Sequence, residues 1–231
     1  MGFLNRFVGR RAADVYAVEA RLLGRFGYVR PPSAVQWLAT AACDLACPHC
    51  YTRAGRRFDA ELTDDEARRL IVDAVAAFPG CELVVAGGEA LLRRDLAGVV
   101  AHAASRGVPW SLHSHGGFVP ENADLFRSHP PTMVALSLDG PPEFHDAFRG
   151  KRGAFDAVMD AVVSLRDAGV PEIVLGTTVV RRNADLVADL LPIVVGSGAD
   201  SWGLHLFTPE GRGAEHADLA PTDAQLRRVA A

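Results

Sequence analysis

From Val35 onward the apolar positions follow two alternating rhythms. Short continuous apolar runs at 35–39, 82–86, 108–113, 133–138, 172–180 and 201–207 predict strands. Between them apolar residues recur every three or four positions, which predicts five helices. The first is the best marked. Thr63-Asp64-Asp65-Glu66 forms a capping box, Ala67, Leu70, Ile71, Ala74, Val75 and Phe78 make the buried stripe, and Pro79-Gly80 ends it. The second uses Leu96, Val99, Val100 and Ala103 and stops at Gly107; the fourth uses Phe155, Val158, Met159 and Val162 and stops at Gly169. The third, around 122–126, is short, and the fifth, from Asp185, contains Pro192, which predicts a kink or a late start. Six strand-then-helix units in series argue for an α/β fold with a parallel sheet. Six such strands can curve into an incomplete (β/α)6 barrel, and a flat doubly wound sheet is the rival.

The first 32 residues differ. Phe3, Leu4, Phe7, Val8, Val15, Val18, Leu22 and Leu23 recur at helical spacing among Arg6, Arg10, Arg11, Arg21 and Arg25, and Pro31-Pro32 stops the pattern. This predicts an N-terminal amphipathic helix over 1–32, docked on the core or used at a membrane surface or by a partner.

Composition narrows the function. The chain has 231 residues, 49% hydrophobic and 23% charged, with 24 Lys+Arg against 28 Asp+Glu, a formal charge of −4. That balance is far from the signature of disorder, and it lacks the basic stripe expected of a nucleic-acid binder. No apolar run approaches the ~18 residues of a membrane span, and no secretory leader is visible, so the expectation is a cytoplasmic chain with no membrane or nucleic-acid partner. Of four cysteines, Cys43, Cys47 and Cys50 fall within eight residues and Cys81 stands alone.

The cluster Cys43-Asp44-Leu45-Ala46-Cys47-Pro48-His49-Cys50-Tyr51 directly follows the first predicted strand. Sites gather at that end of a strand in βα folds. Three thiolates in one short loop can converge on an inorganic centre, and soft sulfur favours zinc or iron–sulfur. A cubane held by three cysteines leaves one iron open to an exchangeable ligand. Two other readings stay open on these residues alone: a zinc site completed by His49, and a Cys47-Pro48-His49-Cys50 dithiol in which Cys43 is incidental. Cys81, at the start of the second strand, reads as a buried structural thiol.

The C-x3-C-x2-C loop after the first strand resembles the cluster motif of the radical SAM superfamily. Three strand ends extend the likeness: Gly87-Gly88-Glu89-Ala90 after the second, Ser137-Leu138-Asp139-Gly140 after the fourth, and Pro209-Glu210-Gly211-Arg212 after the sixth. The chain is most similar to the core of members that carry a C-terminal cysteine-rich SPASM domain and mature peptides or cofactors, here without that domain. The resemblance implies a partial TIM-type (β/α)6 barrel over 33–213, followed by an incomplete segment over 214–231. It implies one [4Fe-4S] cluster on Cys43, Cys47 and Cys50 and S-adenosylmethionine (SAM) on the open iron, reductively cleaved to a 5′-deoxyadenosyl radical that abstracts hydrogen. Gly87, Gly88 and Glu89 would meet the SAM amino group, Ser137 its ribose or carboxylate, and Ser114 would offer a hydroxyl. His115 stands where relatives have Asn and could reach substrate, while His145 and Arg149 read as loop structure and helix packing. The implied activity is a maturase acting on a peptide or protein side chain, fed by a low-potential flavodoxin- or ferredoxin-like donor. The same chemistry on a tetrapyrrole-like cofactor precursor, or a non-catalytic SAM- or metal-binding remnant, are the alternatives.

Overall fold

The computed structural model describes residues 32–230 apart from Asp59, Pro79 and the side chain of Leu70, so the expected N-terminal helix lies outside the described residues. Six strands form one parallel sheet: β1 (Ala34–Thr40), β2 (Glu82–Gly87), β3 (Trp110–Ser114), β4 (Met133–Ser137), β5 (Ile173–Val179) and β6 (Ser201–Leu206). Their order in the sheet is their order in the chain. A doubly wound sheet would reverse order at a switch point. The sequential course is instead that of a (β/α) barrel, left open because β1 and β6 are both edges.

The strands alternate between two environments. Trp37, Val85, Leu112, Val134 and Ile173 lie side by side across five strands, all nearly inaccessible, and form the core with the helices. The intervening positions Gln36, Ala86, His113, Ala135, Ser137, Gly176, Thr178 and His205 line a cavity instead. All-parallel sheets normally bury both faces in apolar side chains. Here the second face is small or polar, which leaves room for a ligand.

Among the described residues the helices follow the predicted pattern with three departures. The first helix, α1, opens at Asp64–Glu66 with the expected capping box, but Ala67–Val72 winds as a π-helix before Asp73–Ala76. A π turn takes up one more residue than an α turn and so rotates everything after it. The buried stripe therefore loses Ala74 and Phe78 and gains Val72, while Ala67 and Val75 stay in it; Phe78 is 40% exposed and Val72 fully buried. Leu96–Ser105 (α2) and Ala123–Ser128 (α3) match expectation. Pro142–Arg149 (α4) is an additional helix. Its buried residues are His145, Phe148 and Arg149, so its inward face is largely polar and gives no apolar periodicity to read. Ala154–Asp167 (α5) follows, its start capped by Asp146, which accepts from Gly153 N at 2.6 Å and Phe155 N at 2.9 Å. Val187–Ser197 (α6) runs through Pro192 and begins ahead of it.

The stretch after Gly213 packs on the core. Leu219 is fully buried with Phe148, Val180 and Phe207, and the Thr222–Gln225 capping box opens α7 (Asp223–Val229). No helix among the described residues is long and apolar enough to cross a membrane.

The π turn makes α1 testable. Val72→Ala should cost about 2 kcal/mol of stability through lost burial. Phe78→Ala should cost under about 1 kcal/mol, because much of its ring is already in water. Urea denaturation of both variants measures this; the reverse ranking would mean a regular helix.

Candidate functional site

All six strands feed one cavity of about 400 Å³, and the loop from Ala41 to Gly55 closes one side of it. Cys43, Cys47 and Cys50 all line this cavity, and so do Gly87, Gly88, Ser114 and Ser137. Glu89 does not. Cys81, buried at the opposite end of β2, takes no part.

Each loop sulfur already receives polar neighbours. Cys43 Sγ accepts from Leu45 N at 3.5 Å, Cys50 Sγ accepts from Ala54 N at 3.3 Å and lies 3.4 Å from Thr52 Oγ1, and Arg149 Nη1 donates to Cys47 Sγ at 3.8 Å. Burial pushes the Cys43 thiol up to about 11, and raises Cys47 against the pull of Arg149. Cys50 moves the other way: burial is outweighed by the Thr52 and Ala54 hydrogen bonds. An occupant of positive charge is therefore needed to hold all three as thiolates at neutral pH.

The donor set fits a cluster better than a single ion. Of the described residues, only Cys43, Asp44 and His115 bring three ligand atoms within 4.8 Å of one another. The three sulfurs are spread more widely than the about 3.8 Å that 2.3 Å bonds to one tetrahedral zinc require. His49 stacks on Phe148 at 4.6 Å with Nε2 3.7 Å from Asp139, and it joins no set of three ligand atoms within 4.8 Å among the described residues. Asp44 is held by Lys151 Nζ at 2.5 Å, so the Cys43–Asp44–His115 group already contains a cation. All four cysteines are free thiols.

The loop is braced from distant parts of the chain. Gly88 N and Glu89 N donate to Thr40 O at 2.7 Å and Ala42 O at 2.8 Å. A Cβ at Gly87 would overlap the Thr40 carbonyl, and one at Gly88 the Ala42 carbonyl; Gly87 also has φ +136°. The double glycine thus lets β2 seat against the loop. From the other edge, Arg212 N donates to Cys50 O at 2.8 Å and Nη1 to Cys47 O at 2.8 Å, while Nη2 reaches Ala54 O.

Glu89 and Ser114 are engaged within the fold. The Glu89 carboxylate, 0% exposed, accepts from Leu91 N at 3.2 Å, Ser114 Oγ at 2.9 Å and His115 N at 3.0 Å. These donors come from the ends of β2 and β3, and Glu89 is not among the residues lining the cavity. Ser114 Oγ also accepts from Gly116 N at 3.0 Å, so its proton and one of its two acceptor positions are engaged within the fold. His115 Nδ1 accepts from Gly117 N, which puts its proton on Nε2, 2.9 Å from Asp44 Oδ1. It ties the β3 end to the cysteine loop. Ser137, by contrast, faces the cavity with no side-chain hydrogen-bond partner among the described residues.

A second polar group sits beneath Cys47. Asp139, 0% exposed, accepts from Thr178 N at 2.9 Å and lies 2.5 Å from Arg149 Nη2. Its N–H donates to His145 Nδ1 at 3.0 Å and its carbonyl accepts from Asn183 at 2.8 Å. Burial, with Arg149 alongside, pushes both His49 and His145 down to about 4. Arg149 is therefore part of the site wall, and His145 lies buried behind it as a partner of Asp139, where the sequence suggested loop structure and helix packing for both. Their spacing of four on a helix was the available signal.

A family model described as the radical SAM superfamily matches residues 37–191. This chain belongs to the radical SAM superfamily. The family uses a [4Fe-4S] cluster and SAM. The chain is 32% identical over 198 residues to the AdoMet-dependent heme synthase of Nitratidesulfovibrio vulgaris, covering 84% of this chain and 53% of that one. It is 31% identical over 201 residues to the mycofactocin maturase MftC of Mycolicibacterium smegmatis, covering 86% and 50%. It thus spans about half the length of these relatives. A solved structure of SuiB from Streptococcus suis bound to S-adenosylmethionine superposes with a TM-score of 0.73 over 91% of this chain and 48% of that one, at 13% identity. That is a likeness of radical SAM fold.

Two outcomes follow from the site's geometry. Gly88→Ala should displace the Ala42 carbonyl and reduce iron retained after reconstitution at least several-fold, while far-ultraviolet circular dichroism stays unchanged; full iron loading would count against the brace. His145 sits near 4 in the fold and near 6.5 when unfolded. The unfolded chain takes up that proton first, so this histidine contributes nothing above about pH 6.5 and costs stability as pH falls toward 4, by at most about 1.4 kcal/mol per pH unit. Urea titrations at pH 7.5 and 5 should show His145→Gln losing less stability on acidification than the parent.

Proposed function

We propose that Cys43, Cys47 and Cys50 hold a [4Fe-4S] cluster in this cavity, with SAM beside it, and that the chain is the radical-generating core of a maturase acting on a peptide or protein side chain. The observation that carries this reading is the convergence of three cysteines and six strand ends on one cavity. When bound, the cluster and SAM supply a hydrogen-abstracting 5′-deoxyadenosyl radical, on delivery of one electron from a low-potential flavodoxin- or ferredoxin-like donor.

The chain's own residues bind and orient. The backbone of Gly87 and Gly88 lies at the cavity wall for the SAM amino group, and Ser137 Oγ is available for its ribose or carboxylate. Glu89, Ser114 and His115 act indirectly, by fixing the β2 and β3 ends against the cysteine loop. Leu45, Leu206 and Phe207 supply apolar wall that keeps water from a reactive intermediate. The maturase reading is supported by the relative named mycofactocin maturase, and a peptide substrate by the solved structure of Streptococcus suis SuiB bound to precursor peptide SuiA. The heme synthase relative, of similar identity, favours a second reading in which the substrate is a tetrapyrrole-like cofactor precursor.

Anaerobic reconstitution should give about four iron per chain, the cubane stoichiometry. Dithionite and SAM should then yield 5′-deoxyadenosine, and Cys43→Ala should abolish it. A cluster-replete chain that never forms this product would support the non-catalytic alternative. Transfer of deuterium into 5′-deoxyadenosine from a labelled peptide or from a labelled porphyrin would separate the two substrate readings.

A further inference from the structure

Arg149 is the least easily explained residue of the site. It ends α4, where a cation is favoured by the helix dipole, and its guanidinium is buried. One arm, Nη2, pairs with Asp139. The other, Nη1, is aimed at Cys47 Sγ, while Nε is buried without a hydrogen-bond partner. A side chain present only to neutralise Asp139 would be expected to place its paired N–H groups on the carboxylate, where bidentate geometry is strongest. This one holds an N–H on sulfur although another N–H is left unsatisfied.

Asp139 is fixed independently of Arg149. Thr178 N, His145 Nδ1 and Asn183 hold its carboxylate and backbone from three directions. The pair is consequently an oriented dipole with its positive end toward Cys47. Hydrogen bonds to the sulfurs and nearby charge are what set the reduction potential of a cysteine-bound iron–sulfur centre.

From this arrangement we propose that Arg149 is a positioning residue that raises the reduction potential of a cluster bound at Cys47, with Asp139 aiming it. The inference rests on the cluster reading given above. One-electron reduction adds a negative charge shared between iron and sulfur, and the guanidinium compensates part of it without moving. Against the pull of burial, the Asp139 charge and the Cys47 sulfur keep that guanidinium protonated in either redox state.

The test is an EPR-monitored redox titration of the reconstituted chain. Arg149→Met alone leaves Asp139 buried and uncompensated, a change that can unfold a protein. The double variant Asp139→Asn with Arg149→Met keeps the charge balance, and Asn can still accept from Thr178 N. In it the midpoint should fall by at least tenfold in the reduction equilibrium, about 59 mV for one electron, with about four iron per chain retained. A full cluster at the parent's potential overturns the proposal. Should the double variant lose its iron, Arg149→Lys keeps the charge Asp139 needs but loses the fork. Its potential should fall in the same direction by less, and a value equal to the parent's overturns the proposal. A parent chain that takes up no iron would instead overturn the cluster reading itself.

Discussion

The loop between Ala41 and Gly55 carries the three cysteines, and most of what fixes it comes from elsewhere. Its internal bonds include Gly55 N to Ala41 O and Cys43 N to Gly55 O, which close its base. The rest is supplied by Gly88 and Glu89 at the end of β2, by the Glu61 carboxylate on Ala41 N at 2.8 Å, by Arg149 from α4 and by Arg212 beyond β6. A ligand set that must meet one occupant has to be over-determined in this way, because loose support costs affinity. The consequence reaches through the fold. Cys47 and Arg212 are 165 residues apart, so the site exists only once the first and last strands share one sheet.

That dependence explains why the sheet can leave one face open. The helix-covered face holds the continuous row from Trp37 to Ile173 and supplies the core. The cavity face is relieved of that duty and carries Ala135, Ser137, Gly176 and Thr178, residues too small or too polar to fill a barrel interior. A packed (β/α) barrel fills its interior with bulky branched side chains. The small residues here are what a barrel needs if it is to house a large cofactor.

Much of this was legible in the sequence, and the rest was hidden for physical reasons. The six strands and the capping box at Thr63 could be read because each follows from local pattern. The stripe of α1 missed Val72 and wrongly included Ala74 and Phe78, because a π turn changes helical phase without leaving a mark in the apolar spacing. Helix α4 was missed because it buries histidine and arginine, and periodicity methods count only apolar residues. At the site, residue type was a good guide for cysteine, whose chemistry is narrow. It said less about Glu89, since a carboxylate beside a double glycine serves equally as a ligand contact or as an acceptor for neighbouring donors. The donors that Leu91, Ser114 and His115 bring to it come from tertiary structure and leave no local mark in the sequence.

Two buried polar groups flank the cysteine loop: Glu89 with Ser114 and His115 on one side, and Asp139 with Arg149 and His145 on the other. Stability alone does not account for them. Removing charge from water costs several kcal/mol per ion, and an apolar pair of like volume is often as stable or more so. What such networks can provide is a single geometry, because each partner is satisfied in only one arrangement. Here each network joins a strand end to the loop, Glu89 and His115 from β2 and β3, Asp139 and Arg149 from β4 and α4. An apolar contact in either place would hold the loop near the sheet but tolerate sliding. The polar version fixes the three sulfurs relative to the strand ends that line the cavity, which is the distance a bound cofactor pair would have to match.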